Sequence, residues 1–268
     1  MKIVSIDVGM RNLAYCILDK LADDSYTIIK WDIIDLCEEP VHKCNGFKKN
    51  GEKCSSISKY HKNNIYYCKL HAKSQTLRIP EPNMKISRIN KMKKSEIVEL
   101  SNTLGHDIAK SSNKAVYIEH LLADLSTNYL DPVTKTDCKS INIVTYGSRI
   151  KTSFDKLLAD IDIDCVIIEN QIGPLALRMK MLQGMIMQHF IETGVQCIKE
   201  ISPANKLKDF ISNDKTTYAE RKRVGIDVTR KLIQENSAIS SWSEHFEKHK
   251  KKDDLADSFL QVLWYIKQ

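Results

Sequence analysis

The chain has 268 residues, 42% hydrophobic and 28% charged, enough apolar side chain for a packed core and unlike the composition of a disordered protein. No apolar run approaches the roughly 20 residues that cross a bilayer, and MKIVSIDVG enters a strand-like pattern without the regions of a secretion signal. The expectation is therefore an intracellular protein with no membrane partner, whose eight cysteines are thiols or metal ligands and not disulfides. Charge is unevenly spread: residues 41–94 hold fourteen Lys or Arg against Glu52 and Glu81, a balance of +12, while the remainder sums to −5. A concentrated basic block suggests a polyanion such as DNA or RNA as partner; a solvated basic face is the plainer account.

Residues 2–8 (KIVSIDV) alternate, with Ile3, Ser5 and Asp7 on one face and Val4, Ile6 and Val8 on the other, and Gly9 permits a turn. Residues 13–18 and 26–34 continue as strands around the polar segment 22–25, so a three-stranded antiparallel meander opens the chain. From about Cys37 to Asp137 the pattern breaks into a Cys/His-rich basic stretch, the loop RIPEPN and two short helical patterns. From Ile141 an α/β rhythm returns. A helix over 148–158 has Ile150, Phe154, Leu157 and Leu158 on one side. A buried strand, CVII, spans 165–168, and a helix over 174–193 starts with Pro174 in its first turn. A strand over 195–201, a basic helix over 217–235 and an amphipathic helix over 253–266 complete the order. This sequence of elements predicts an α/β fold, a mixed sheet flanked by helices. Its core is discontinuous, 1–36 with 138–268. The insertion divides into a Cys/His-rich part, 37–78, and a basic linker with a helical part, 79–137.

Four acids stand where such a fold gathers side chains. Asp7 ends the first strand, Glu169 follows CVII, and Asp254 and Asp257 lie three apart on one face of the last helix. Leu255, Phe259, Val262 and Ile266 would anchor that helix to the sheet. Converging carboxylates repel one another unless cations hold them, and Mg²⁺ or Mn²⁺ are the natural oxygen-liganded partners. Two such ions can activate a water and stabilise the leaving oxygen of a phosphodiester. Taken singly, each acid reads more simply as a strand-end turn residue or a helix N-terminal acid favoured by the macrodipole, and it is the four together that make the pattern.

The segments IVSIDVGMRNLAY, CVIIENQIGP and KKDDLADSFL resemble the three acidic motifs of RuvC-like Holliday junction resolvases. They look closest to the branch found in poxviruses and giant DNA viruses, with the yeast mitochondrial resolvases as relatives. The resemblance implies an RNase H-like fold and a homodimer that nicks two opposed strands of a four-way DNA junction. It also implies two Mg²⁺ or Mn²⁺ ions per active site and nicks with 5′-phosphate and 3′-hydroxyl ends. Asp7, Glu169, Asp254 and Asp257 match the family's acids, with Asp253 a rival inside the Asp-Asp pair. The family also carries a lysine near the scissile phosphate, and Lys206 in ISPANKLK matches it; a surface cation after a turn is the other account. Alternatives are another RNase H-like nuclease, transposon-type or RNA-guided, and a non-catalytic protein that binds branched DNA. A viral member would act in host cytoplasm at sites of viral DNA replication.

Within the insertion, Cys44, Cys54, Cys68 and His71 offer four ligands, the last two as a Cys-x-x-His knuckle, and predict a closed structural Zn²⁺ site. So few apolar residues surround them that the segment should fold around its metal. Cys37, His42 and His61 are possible substitute ligands. Residues 92–125 resemble a SAP-type helix–loop–helix DNA-binding module, patterned by Ile97, Leu100 and Leu104, then Val116, Ile118, Leu121 and Leu122; a helical spacer is the alternative. On the helix over 174–193, apolar residues from Leu175 and Leu177 to Phe190 and Ile191 circle the axis, so it should be buried on more than one side. In RuvC-like enzymes the helix after the second acidic motif makes the dimer contact. Met181 and Met185 are thus expected against a partner subunit, unless the insertion covers that face.

Overall fold

The computed structural model describes residues 1–23, 25–109, 111–134, 136–173, 177–210 and 216–268. Pro174 and Leu175, expected in the first turn of a helix, lie outside the described residues. The chain forms two compact units, residues 1–38 with 136–268, and residues 39–135. The first unit opens with β1 (Lys2–Asp7), β2 (Asn12–Lys20) and β3 (Tyr26–Asp35). The second holds β4 (Tyr60–Lys62), β5 (Ile65–Tyr67), α1 (Lys69–Lys73), α2 (Ile86–Ile89), α3 (Lys94–Thr103), α4 (Lys114–Asn128) and β6 (Asp131–Pro132). The first resumes with α5 (Ile143–Leu158), β7 (Cys165–Glu169), α6 (Leu177–Glu192) and β8 (Cys197–Ile201). It ends with α7 (Tyr218–Glu235), α8 (Ser243–Lys248) and α9 (Lys252–Ile266).

In the first unit a five-stranded sheet has the order β3-β2-β1-β7-β8. β1, β2 and β3 pair antiparallel through short turns, whereas β1–β7 and β7–β8 are parallel and need long connections, the second of them running through α6. Alternation along β1 divides the core. Val4 and Ile6 join Ile168, Phe154, Ile186 and Phe190 under α5 and α6, while Ile3 joins Trp31, Ile167 and Phe259 under α7, α8 and α9. A mixed sheet in this order with helices on both faces is the RNase H-like arrangement. Trp31, stacked on Phe246 at 5.4 Å, donates its indole N–H to the Leu255 carbonyl at 3.0 Å and so fixes the start of α9 against β3.

Two boundaries differ from the expected ones for local reasons. α5 starts at Ile143, five residues early, because the Asn142 side chain caps it by accepting from Val144 N at 2.8 Å. β8 starts only at Cys197, because Val195 N donates to Phe190 O at 3.1 Å and closes the end of α6.

In the second unit a small sheet has the order β5-β4-β6. Strands of two or three residues carry no readable period, so sequence gave no sign of them. β6, which follows the helical part, pairs with Tyr60 and His61 of β4, and Arg78 bridges Tyr129, so both parts of the insertion are stitched into one unit. α2, α3 and α4 enclose a minor core of Ile89, Ile97, Tyr117 and Leu121. The buried face of α4 centres on Tyr117, which the expected pattern had passed over. Among the described residues no helix is long and apolar enough to cross a membrane.

Candidate active site and metal cluster

Ile6 of β1 lies in register with Ile168 of β7, so the next residues, Asp7 and Glu169, emerge side by side at the ends of neighbouring parallel strands. α9 crosses them and adds Asp257. Lys206 comes from a single 3-10 turn after β8, opened by Pro203 and capped by Ser202. Its Nζ lies 3.2 Å from Asp7, 3.3 Å from Glu169 and 3.6 Å from Asp257, with the side chain only 6% exposed. Three of the four expected acids therefore converge on the expected lysine. It is a buried cation, not a surface one.

Asp254 stands beside this group. It accepts from Asn12 Nδ2 at 3.2 Å and lies 3.5 Å from both Lys222 and Lys251. Asp253 instead pairs with Lys222. A cleft of about 360 Å³ is lined by Asp7, Glu169, Asp254, Asp257, Tyr218 and Lys222 among others, and Asp253 does not line it.

Neighbouring residues hold this geometry. The turn from Asp7 into β2 is so tight that a Cβ on Gly9 would fall 2.1 Å from the Asn12 carbonyl oxygen, which only glycine avoids. Gln261, one turn beyond Asp257 and fully buried, donates to Ser5 Oγ at 3.1 Å and to Ile6 O at 3.3 Å, locking α9 to β1. Gln183 of α6 accepts from Gln171 N at 3.0 Å and donates to Glu200, fixing the loop that follows Glu169. Sequence reasoning missed Asn12, Gln183, Lys222 and Gln261. Only the two buried glutamines left a signal, each a polar residue in an otherwise apolar stripe.

Electrostatics follow from burial. Desolvation, then the hydrogen bond and charge of Asp7, push Glu169 up to about 8. Burial also works on Asp7, but the Lys206 ammonium and hydrogen bonds from Glu169 and Lys206 outweigh it and keep Asp7 below the usual carboxylate range. Asp257 rises to about 6, again through burial, with Lys206 opposing. Burial and mutual repulsion therefore raise Glu169, while the Lys206 ammonium favours the charged form of Asp7.

In the second unit, donor atoms of Cys44, Cys54, Cys68 and His71 all lie within 4.8 Å of one another, a group that could hold a metal ion. His71 Nδ1 is 3.2 Å from Cys44 Sγ and 3.5 Å from Cys68 Sγ, while its Nε2 meets the Phe47 carbonyl at 2.9 Å. Such an outer contact orients a ligating imidazole. A Cβ on Gly46 would lie 2.6 Å from His71 Cγ, so glycine is needed there. Hydrogen bonds from Ser56 draw the Cys54 thiol down to about 6, toward the thiolate that binds metal. The possible substitutes are elsewhere: His42 stacks on Tyr66 at 3.9 Å, His61 tilts against the same ring, and Cys37 lies 3.2 Å from Tyr146 Oη in the first unit.

α6 is less uniformly covered than its composition suggests. Leu182, Ile186 and Phe190 are buried, and Met179, Met185 and Met187 lean on the same core. Leu177, Met181 and Ile191 remain exposed along one stripe. Met185, expected on the partner face, packs over Gly147 of α5 instead, since a Cβ there would meet its sulfur at 3.5 Å.

Acids at the ends of the two central strands, and another on the helix across them, define an RNase H-like protein with a buried carboxylate centre. The chain belongs to the poxvirus A22 protein family, whose model matches residues 123–268, just over half of it. That stretch contains Glu169, Lys206, Asp254 and Asp257, but neither Asp7 nor the Cys/His cluster. An uncharacterized protein of Acanthamoeba polyphaga mimivirus is 26% identical over 313 residues, covering 99% of this chain and 74% of that protein. Among solved structures, the fowlpox virus Holliday junction resolvase is 14% identical with a TM-score of 0.44, covering 100% of this chain and 98% of that one. The yeast mitochondrial Holliday junction resolvase Ydc2 is 14% identical with a TM-score of 0.44, covering 98% and 78%. Thermus thermophilus RuvC is 9% identical with a TM-score of 0.44, covering 100% and 96%.

Proposed function

We propose that this protein is a divalent-metal-dependent DNA endonuclease that resolves four-way junctions by paired nicks in opposed strands. The observation that carries the proposal is the convergence of Asp7, Glu169 and Asp257 on one buried cation, in a cleft that Asp254 also lines. Family membership and the three acidic motifs support the choice of substrate.

Carboxylate oxygens grouped about a single positive centre are a hard donor set of the kind that suits Mg²⁺ or Mn²⁺. Asp7, Glu169, Asp254 and Asp257 would hold two such ions, which supply charge neutralisation and an activated water for phosphodiester hydrolysis. The remaining work belongs to the chain. Lys206 brings a fixed ammonium to where phosphate charge develops. Asn12 holds Asp254, and Gln261 holds the helix that carries both aspartates. The basic insertion would bind the DNA arms, with the helices near 92–125 as a SAP-like part of that contact, and Cys44, Cys54, Cys68 and His71 would carry a structural Zn²⁺.

Paired cuts need two active sites, and the exposed stripe of Leu177, Met181 and Ile191 on α6 is the surface proposed to join two copies. A viral member of this family would act where viral DNA replicates in the host cytoplasm. The test is cleavage of a synthetic four-way junction with Mg²⁺ or Mn²⁺, beside linear duplex, flap and RNA–DNA hybrid. Paired symmetric nicks on the junction are expected. Preference for the hybrid, or no cutting with either metal, would refute the proposal.

A further inference from the structure

The ribbon that carries Cys44 and Cys54 has an outer face that takes no part in the Cys/His cluster. Residues 42–58 form an irregular two-stranded ribbon, closed by Cys44 N→Ser56 O at 2.9 Å, Cys54 N→Gly46 O at 2.8 Å and Lys48 N→Glu52 O at 2.7 Å. Alternation turns Cys44, Cys54 and Ser58 inward, where they are buried. The other face is left to solvent. There Phe47 stands directly across from Lys53, and Ile57 directly across from Lys43. Phe47 is 64% exposed and Ile57 59%. Between the two pairs lie Asn45 and Ser55, so this face carries no acid; the nearby Glu52 is neutralised by Lys48 at 2.9 Å.

A single exposed apolar side chain is ordinary, but here two of them share one ribbon face and each stands opposite a lysine. The Phe47 backbone is also held in place, since its carbonyl meets Nε2 of His71, whose other ring nitrogen faces the cysteines. A rigid aromatic flanked by lysines, in a segment carrying a balance of +12, complements a polyanion that also offers flat apolar surfaces. Paired bases in a duplex are already stacked on one another. Unpaired or splayed bases are not, and an aromatic side chain can stack on them.

We infer that the outer face of this ribbon is a binding site for unstacked nucleobases, with Phe47 as the stacking platform and Lys43 and Lys53 holding the adjoining phosphates. This rests on the proposed action at branched DNA and specifies what the insertion recognises there. The partner is single-stranded or branch-point DNA, not a protein surface, because the face pairs each apolar residue with a cation.

The experiment measures fluorescence anisotropy with labelled DNA and no added divalent cation. The probes are a four-way junction with unpaired thymines at the branch and a linear duplex of equal length. Phe47→Ala should weaken binding to the branched probe about 10-fold while changing the duplex less than about twofold. Phe47→Trp should bind the branched probe at least as well as wild type. Lys53→Gln should weaken both probes and lower the salt dependence, as loss of a phosphate contact does. Zinc content equal to wild type confirms that each variant is folded. Unchanged binding by Phe47→Ala, or an equal loss on the duplex, would overturn the inference. Cleavage is scored separately, so a wild type that binds but never cuts would refute the nuclease assignment and leave this result standing.

Discussion

Among the described residues, Lys206 is the cation that lies against all three converging carboxylates, and Lys206→Met removes it. The ammonium lies 3.2 to 3.6 Å from their oxygens and its side chain is 6% exposed, so solvent can do little to replace it. Removing one partner of a buried ion pair costs about 3–5 kcal/mol. The carboxyls can recover part of this by taking up protons, and that fixes the pH dependence. Glu169 and Asp257 have folded-state values raised to about 8 and about 6. Groups shifted upward favour the folded state below their unfolded values, and that contribution is lost as pH rises through the folded ones. Without Lys206 they shift further upward. The penalty should therefore be largest above pH 8 and shrink toward pH 5. Urea unfolding can be followed by tryptophan fluorescence, to which Trp31, buried against α8 and α9, contributes. At pH 8.5 the variant should lose about 3 kcal/mol or more, and at pH 5 less than half of that. Millimolar Mn²⁺ should restore part of the loss, since a ligand bound only by the folded state stabilises it. A loss below about 1 kcal/mol at every pH would refute the view of Lys206 as the internal countercharge.

Gly46→Ala should lower zinc below one ion per chain in elemental analysis, because the new Cβ would collide with the His71 ring at 2.6 Å; full retention would remove the four proposed ligands from consideration. Met181→Glu, on the exposed stripe of α6, should give a folded monomer by light scattering, whereas Met185→Glu should unfold the core beneath α5. A dimeric Met181→Glu protein would move the subunit contact elsewhere. Replacing both Lys43 and Lys49 by Gln should lower the slope of log affinity against log salt by up to about 2, one phosphate contact for each. An unchanged slope would shift DNA binding to another surface.

Sequence made the carboxylate framework legible because its acids interrupt otherwise apolar runs at strand ends and recur one helical turn apart. Asp7, Glu169 and Asp257 meet because β1 and β7 are parallel neighbours in register and α9 packs over both. Asp254 lies apart from them for a reason invisible in the sequence: Asn12, from the far side of the Gly9 turn, holds it. Lys222 sits in the basic run 221–223, which looks like a DNA-facing surface, yet tertiary packing turns it onto Asp253 and Asp254. Burial of Lys206 was equally unreadable, since a lysine after a Ser-Pro turn is usually solvated. α6 looked apolar all round because methionine is flexible. Met179, Met185 and Met187 bend onto one core from the flanks and leave a single exposed stripe.

The central claim is most directly tested on a supercoiled plasmid that extrudes a cruciform, incubated with Mg²⁺ and either wild type or Asp7→Asn. Wild type should convert it to linear product by paired cuts at the cruciform base. Asp7→Asn should bind the cruciform and leave it supercoiled, since it removes one of the acids gathered at Lys206 while leaving the insertion untouched. Linearisation by Asp7→Asn at the wild-type rate, or a wild type that leaves the cruciform uncut, would contradict the account.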